Sequence, residues 1–202
     1  KISKRWLGGS MKKYTYDTTK YRFRELVSEA LECSDLENIH KYMSDWVKDD
    51  YKKLNVHNEN TTNFHDKFYK KLNDNWTEFY KTYDDFIHNE IVSLLDEKFH
   101  YQLHKHPDGE INFYLPLTKA YGTNTIWAES EPWKLDFKPM ESEHGEYWMA
   151  NLNKCLHGNK PNITNNTRIS FDFRVMPLSK YNPNYDADSA SKSNKFVVGS
   201  YY

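Results

Sequence analysis

The chain has 202 residues, with 28 Lys+Arg against 29 Asp+Glu and a formal net charge of -1. That balance carries neither the basic footprint of a dedicated nucleic-acid binder nor the excess of an acidic solvating tail. No stretch reaches the ~18 consecutive apolar residues of a membrane helix, and 16% aromatic residues is too ring-rich for a disordered chain. The composition points to one sizeable domain, or one domain with a helical extension, whose core is built from rings.

Residues 1–20 read as an N-terminal arm, of which 1–10 are set aside because Gly8-Gly9-Ser10-Met11 has the composition of a cloning remnant. Two cysteines, Cys33 and Cys155, are too few for a disulfide framework, and no signal-peptide pattern opens the chain. The Asn-x-Thr triplets at Asn60, Asn75, Asn162 and Asn165 read as chance in an Asn-rich chain. The expected location is cytoplasmic.

Residues 21–99 carry helical periodicity. Phe23, Val27, Ala30 and Leu31 share one face. Ser34-Asp35-Leu36-Glu37 has the spacing of a capping box, followed by the stripe Leu36, Ile39, Met43, Trp46, Val47 and Leu54. A shorter helix holds Phe64, Phe68 and Leu72, and the strongest stripe is Trp76, Phe79, Tyr80, Tyr83, Ile87, Ile91, Leu94 and Leu95. His40, His57, His65 and His88 lack ligand spacing and read as structural or exposed.

Over 100–178 the period falls to 2. Ile111, Phe113, Leu115 and Leu117 alternate with Asn112, Tyr114 and Pro116. Ile126–Ala128 and Tyr147–Asn151 are short strands. In Arg168–Met176 one face carries Ile169, Phe171, Phe173 and Val175, the other Arg168, Ser170, Asp172 and Arg174. Turn clusters at Gly109, Gly122, Gly145 and Gly158 separate them. The fold class predicted is α+β: N-terminal helices packed on an antiparallel β-sandwich of jelly-roll type. Residues 179–202 read as a surface tail.

Two features of the stranded half could carry chemistry. His157 stands at a strand end before Gly158, and Arg168-Ile169-Ser170 follows. On a strand Arg168 and Ser170 share a face about 6–7 Å apart, where a guanidinium fork and a hydroxyl suit a carboxylate. The alternative is an ordinary polar sheet face of paired charges. Upstream, His106-x-Asp108 with His157 would make a 2-His-1-carboxylate set for non-haem Fe(II); solvent exposure of a His-rich hairpin tip is the competing reading.

Four segments are familiar as a group: Glu110–Thr118, Gly122–Ser130, Cys155–Asn159 and Thr167–Val175. In this order they resemble the StrG-like proteins of streptomycin-type and other carbohydrate biosynthetic clusters, relatives of Fe(II)/2-oxoglutarate-dependent oxygenases on the cupin-like double-stranded β-helix. The resemblance implies that His157 is the distal metal histidine. It further implies that Arg168 and Ser170 hold the distal carboxylate of 2-oxoglutarate, and that Asn112 and Thr118 line the cavity.

The family's own His-x-Asp pair is not visible. Phe99-His100-Tyr101-Gln102 resembles the start of the section that holds it and Leu103–Gly109 its final loop, so a segment of the pattern is missing between Gln102 and Leu103. Three readings stand open: a segment omitted from the given sequence, a degenerate non-catalytic relative, or His104, His106 and Asp108 as substitute ligands. The resemblance implies an iron and 2-oxoglutarate oxygenase acting on a small, carbohydrate-like substrate, with no nucleic-acid or membrane partner and with homo-oligomers compatible. Its rivals are a non-catalytic carbohydrate-binding sandwich using Trp127, Trp133 and Trp148, and a partner-binding surface along Trp76–Leu95.

Overall fold

A computed structural model of the chain describes residues 11–42, 63–95, 110–150, 152 and 154–176. Along these run β1 (Met11–Thr15), α1 (Phe23–Leu31), α2 (Asn63–Asn73), α3 (Thr77–Phe86), β2 (Ile111–Pro116), β3 (Ile126–Ala128), β4 (Lys138–Pro139), β5 (Glu146–Ala150), β6 (His157–Asn159) and β7 (Ser170–Val175). A 3-10 segment, Leu36–Tyr42, follows α1, and α3 continues into a π-turn over Ile87–Val92. The order is α+β, with antiparallel sheets of four strands (β1-β5-β2-β7) and three strands (β4-β3-β6). β1 comes from the expected arm and closes one edge of the larger sheet on β5.

The period-2 pattern of β2 and β7 decides what each face of the larger sheet meets. Phe113, Leu115, Tyr147, Met149, Phe171 and Phe173 pack with Phe23, Leu26 and Val27 of α1 and Phe79 and Phe86 of α3 in one cluster. Rings dominate it: Phe113 and Phe173 stack with centroids 5.1 Å apart, and Phe23 meets Phe86 edge-on at 5.4 Å. Such pairs add about 0.5–1.5 kcal/mol each beyond the area they bury, which is how a chain of 38% hydrophobic content fills its core. The other face carries Tyr114, Trp148 and Ala150. These join Ile126, Ala128 and Met140 from the β3–β4 hairpin in a second cluster, so β2 is buried on both sides.

Three expectations for the helical half change. The stripe along Trp76–Leu95 contributes to the core: Trp76, Phe79, Phe86, Ile91 and Leu95 are buried, while Val92 stays exposed. Phe86, outside the expected stripe, takes a fully buried place at the end of α3, while Tyr80 lies exposed. Glu37 does not close a capping box with Ser34. Arg24 holds its carboxylate from both sides, Nη1 to Oε1 at 2.7 Å and Nη2 to Oε2 at 2.6 Å, a stronger arrangement than a return bond to a backbone N–H. The stripe residues Met43, Trp46, Val47 and Leu54 lie outside the described residues.

Candidate functional site

The polar face of β7 and the face of β6 that carries His157 and Asn159 both turn toward the space between the two sheets. Register sets Ser170 opposite Pro116, Asp172 opposite Tyr114 and Arg174 opposite Asn112. These residues share the face that Tyr114 and Ala150 turn toward the smaller sheet. From the other side, β6 places His157 opposite Ala128 and Asn159 opposite Ile126, and both partners belong to the cluster between the sheets. The cleft is therefore a consequence of two period-2 patterns facing each other.

His157 lies within β6 rather than at a turn, and a Cβ on Gly158 would meet open space. Its Nδ1–H donates to the Cys155 carbonyl at 2.9 Å. A carbonyl only accepts, so the neutral ring carries its proton on Nδ1 and keeps the Nε2 lone pair. The side chain is exposed. This is the posture of an imidazole ready to bind a metal or accept a proton.

Arg168 bridges the two sheets. Its Nη1 donates to the Asn124 carbonyl at 3.2 Å and to Asn159 Oδ1 at 3.1 Å, and its guanidinium carbon lies 5.7 Å from the centre of the Tyr114 ring. The Asn124 carbonyl is held in place by a turn that starts from Gly122 at φ +54° and is closed by Tyr121 N–H donating to Asn124 Oδ1 at 2.7 Å. Both bonds use Nη1, and the Tyr114 phenol lies within hydrogen-bonding reach of the same guanidinium. Burial pushes the Tyr114 phenol up, opposed by the charge of Arg168. Ser170 sits half-buried on the same face as expected.

At the far end of the face, Arg174 Nε lies 3.5 Å from Glu110 Oε1, and the Glu110 side chain is only 8% exposed. Asn112 donates its Nδ2–H to the same carboxylate at 3.3 Å; it is buried, and its Oδ1 accepts no hydrogen bond. Between the two arginines along the chain stands Asp172, which is exposed. Burial pushes its carboxyl up, while Arg174, Arg168 and His157 pull it down.

Thr118 takes part in the frame of the site. It is fully buried; its hydroxyl donates to the Thr167 carbonyl at 3.0 Å and accepts from Ile169 N–H at 2.9 Å. It thereby clips the end of β2 to the approach of β7, next to Arg168. Of the aromatic candidates, Trp127 lies under Lys160, Trp148 donates to Ser142 Oγ at 2.8 Å, and Trp133 is 79% exposed.

Glu129 went unweighed as a site residue and proves to be the brace behind His157. It is fully buried. Oε1 accepts from Trp133 N–H at 2.9 Å and Leu156 N–H at 2.7 Å, and Oε2 from Leu135 N–H at 3.0 Å. Burial works to raise its carboxyl, but the three backbone donors prevail and hold it below the usual range. Trp133 and Leu135 adopt left-handed backbone, φ +67° and +56°, a strained state for residues with a Cβ that these bonds fix.

Among the described residues no group of three His, Cys, Asp or Glu side chains could hold a metal ion. His104, His106, Asp108 and the Gln102–Leu103 junction lie outside the described residues. No described helix is long and apolar enough to cross a membrane.

No protein-family model matches the chain. The streptomycin biosynthesis protein StrG of Streptomyces griseus is 30% identical over 216 residues, which cover 95% of this chain and 98% of that protein. Because 95% of 202 residues is about 192, about 24 of the 216 matched positions have no residue here. Near-complete coverage of both proteins, at an identity well above chance for that length, makes the relationship one of whole chains, and the chain belongs to the StrG family.

Proposed function

We propose that this chain acts in the biosynthesis of a small polar, carbohydrate-like compound, as its relative's name indicates for that protein, and that the cleft between its sheets holds a dicarboxylate of the 2-oxoglutarate type. The observation that carries this is Arg168: a guanidinium positioned by the Asn124 carbonyl and by the Asn159 amide, which stands two residues from His157 on β6. Ser170 adds a hydroxyl on the same face, and the double-stranded β-helix reading gains support from two antiparallel sheets sharing an apolar cluster.

In an oxygenase of this type an Fe(II) centre would supply the oxidative chemistry, with the keto acid as cosubstrate. The fit is partial: the described residues offer His157 Nε2 alone, where such a centre takes three protein ligands. The work of the cleft is therefore derived from protein groups. Arg168 fixes the far carboxylate of the acid and so its orientation. His157, with its tautomer set by Cys155, presents a lone pair to the cleft. The apolar floor of Tyr114, Ile126 and Ala128 keeps water from one side of the bound acid.

A second reading, a binding protein without turnover, is favoured by the incomplete ligand set and by the matched positions that have no residue in this chain. Succinate release from 2-oxoglutarate, measured with Fe(II) and a panel of sugars, separates the two. Release that needs Arg168 and His157 supports the oxygenase; 2-oxoglutarate binding with no release supports the binding protein. Neither binding nor release overturns the proposal.

A further inference from the structure

Thr167 and Arg168 precede β7 and lie outside its ladder with β2. Each polar atom of Thr167 is taken up by another part of the chain instead. Its N–H donates to the Glu37 carbonyl at 2.6 Å, and its carbonyl accepts from Thr118 Oγ1 at 3.0 Å. Its hydroxyl oxygen lies 2.7 Å from His40 Nδ1, one hydrogen bond whichever atom carries the proton. Glu37 and His40 both come from the 3-10 segment Leu36–Tyr42 in the helical half of the chain.

On the other side of Arg168, Ile169 N–H donates to Thr118 Oγ1 at 2.9 Å, and its carbonyl accepts from Leu117 N–H at 2.8 Å. These contacts close on themselves. Arg24 grips the Glu37 carboxylate and also donates Nη1–H to the Leu117 carbonyl at 2.7 Å. A ring therefore runs from Arg24 through Glu37 to Thr167, past Arg168 to Ile169 and Leu117, and back to Arg24. Arg168 sits in that ring and sends its side chain out to Asn124 and Asn159.

The backbone contacts on Thr167 survive most substitutions, because any residue but proline carries the same N–H and C=O. The contact to His40 runs from side chain to side chain and depends on both residue types. A group that must meet a ligand in one orientation loses affinity when its anchor shifts by even about 1 Å. We infer that His40 and Thr167 are positioning residues for Arg168, their hydrogen bond fixing the backbone from which the guanidinium is aimed. The inference rests on the reading of Arg168 as the carboxylate clamp and deepens it, since it ties the helical half of the chain to that clamp.

The test uses the full chain with Thr167→Val and His40→Ala, which remove the bond, and Thr167→Ser and His40→Asn, which keep a group able to make it. Two quantities are read: 2-oxoglutarate affinity by isothermal titration, and the NMR signal of the Arg168 Nε–H, identified by its loss in Arg168→Lys. Thr167→Val and His40→Ala should each weaken 2-oxoglutarate about three- to tenfold and shift the Arg168 signal. Thr167→Ser and His40→Asn should return both toward the parent values, which a general loss of stability would not do. An Arg168 signal that neither Thr167→Val nor His40→Ala moves would overturn the inference. So would parent affinity in both, or Thr167→Ser and His40→Asn chains no better than the variants without the bond. If Thr167→Val does not fold, His40→Ala against His40→Asn decides. A parent chain that binds no 2-oxoglutarate sinks the dicarboxylate reading, and the Arg168 signal then decides this inference by itself.

Discussion

Arg168 Nη1 donates to Asn159 Oδ1 at 3.1 Å, and this single contact ties the strand that carries His157 to the strand that carries Asp172. Arg168→Lys keeps the charge and loses the fork. It should cut 2-oxoglutarate affinity by about tenfold or more, as loss of a charge-assisted hydrogen bond does, with little change in Tm. Asn159→Ala leaves the guanidinium in place but loosens it, so a smaller loss is expected. Isothermal titration of both variants reads the difference; a larger loss for Asn159→Ala would contradict the assigned roles.

Glu129 is a structural brace with a functional address, since Leu156 N–H sits on its Oε1 next to His157. Glu129→Gln replaces one acceptor oxygen with an NH2 group facing backbone donors. Tm should fall by several degrees, and His157 should shift in its NMR environment although the two side chains do not bond. Because the folded carboxyl is held below its ordinary value, its contribution to stability is complete above about pH 4.3. That contribution is lost as pH falls through the lower folded value. Melting curves between pH 3 and 7 should show this loss in the parent chain and a flatter response in Glu129→Gln.

Nearer neutrality a different group sets the slope. His144 is half-buried, and its pKa is lowered first by burial and then by Arg24, against the opposing pull of Glu25 and Glu37; Tyr16 packs on its ring at 6.5 Å. The folded state thus prefers the neutral ring. Stability from this site is full above about pH 6.5, the ordinary histidine value, and falls as pH drops through the lower folded value, where the unfolded chain binds the extra proton. His144→Asn should remove that slope between pH 5 and 7 in urea titrations. An unchanged slope would assign it elsewhere.

The ring core predicts a large single-site effect. Phe86 is fully buried and meets Tyr16, Tyr21, Phe23, Tyr147 and Phe173 edge-on. Phe86→Ala should cost about 3–5 kcal/mol in urea unfolding. Tyr80→Ala, on the exposed side of α3, should cost far less; comparable losses would contradict the buried and exposed faces assigned to α3.

Period-2 alternation in Ile111–Leu117 and Arg168–Met176 was legible because a strand between two apolar layers writes its faces into every second residue. The same pattern placed Arg168, Ser170 and Asp172 on one face before any contact was known. β1 left no such trace: Met11–Thr15 is an edge strand reading Met-Lys-Lys-Tyr-Thr, with no apolar alternation, and only its pairing to β5 makes it a strand. The Glu37 carboxylate looked like a cap because spacing cannot see Arg24 arriving from thirteen residues away. Thr118 was named in the sequence only through the resemblance, as lining the cavity; its role as a clip was not legible, since its partners Thr167 and Ile169 come from the approach to β7. Glu129 and Asn159 lie inside the resembling segments but carried no sign of their roles, because their partners are three backbone N–H groups in one case and the Arg168 guanidinium in the other.

The central claim is that Arg168 makes the inter-sheet cleft a dicarboxylate site. Isothermal titration of 2-oxoglutarate into the full chain and into Arg168→Ala tests it most directly. The account predicts saturable one-to-one binding that Arg168→Ala loses while keeping its fold. Absence of binding to the parent chain, or equal affinity in the variant, would contradict it.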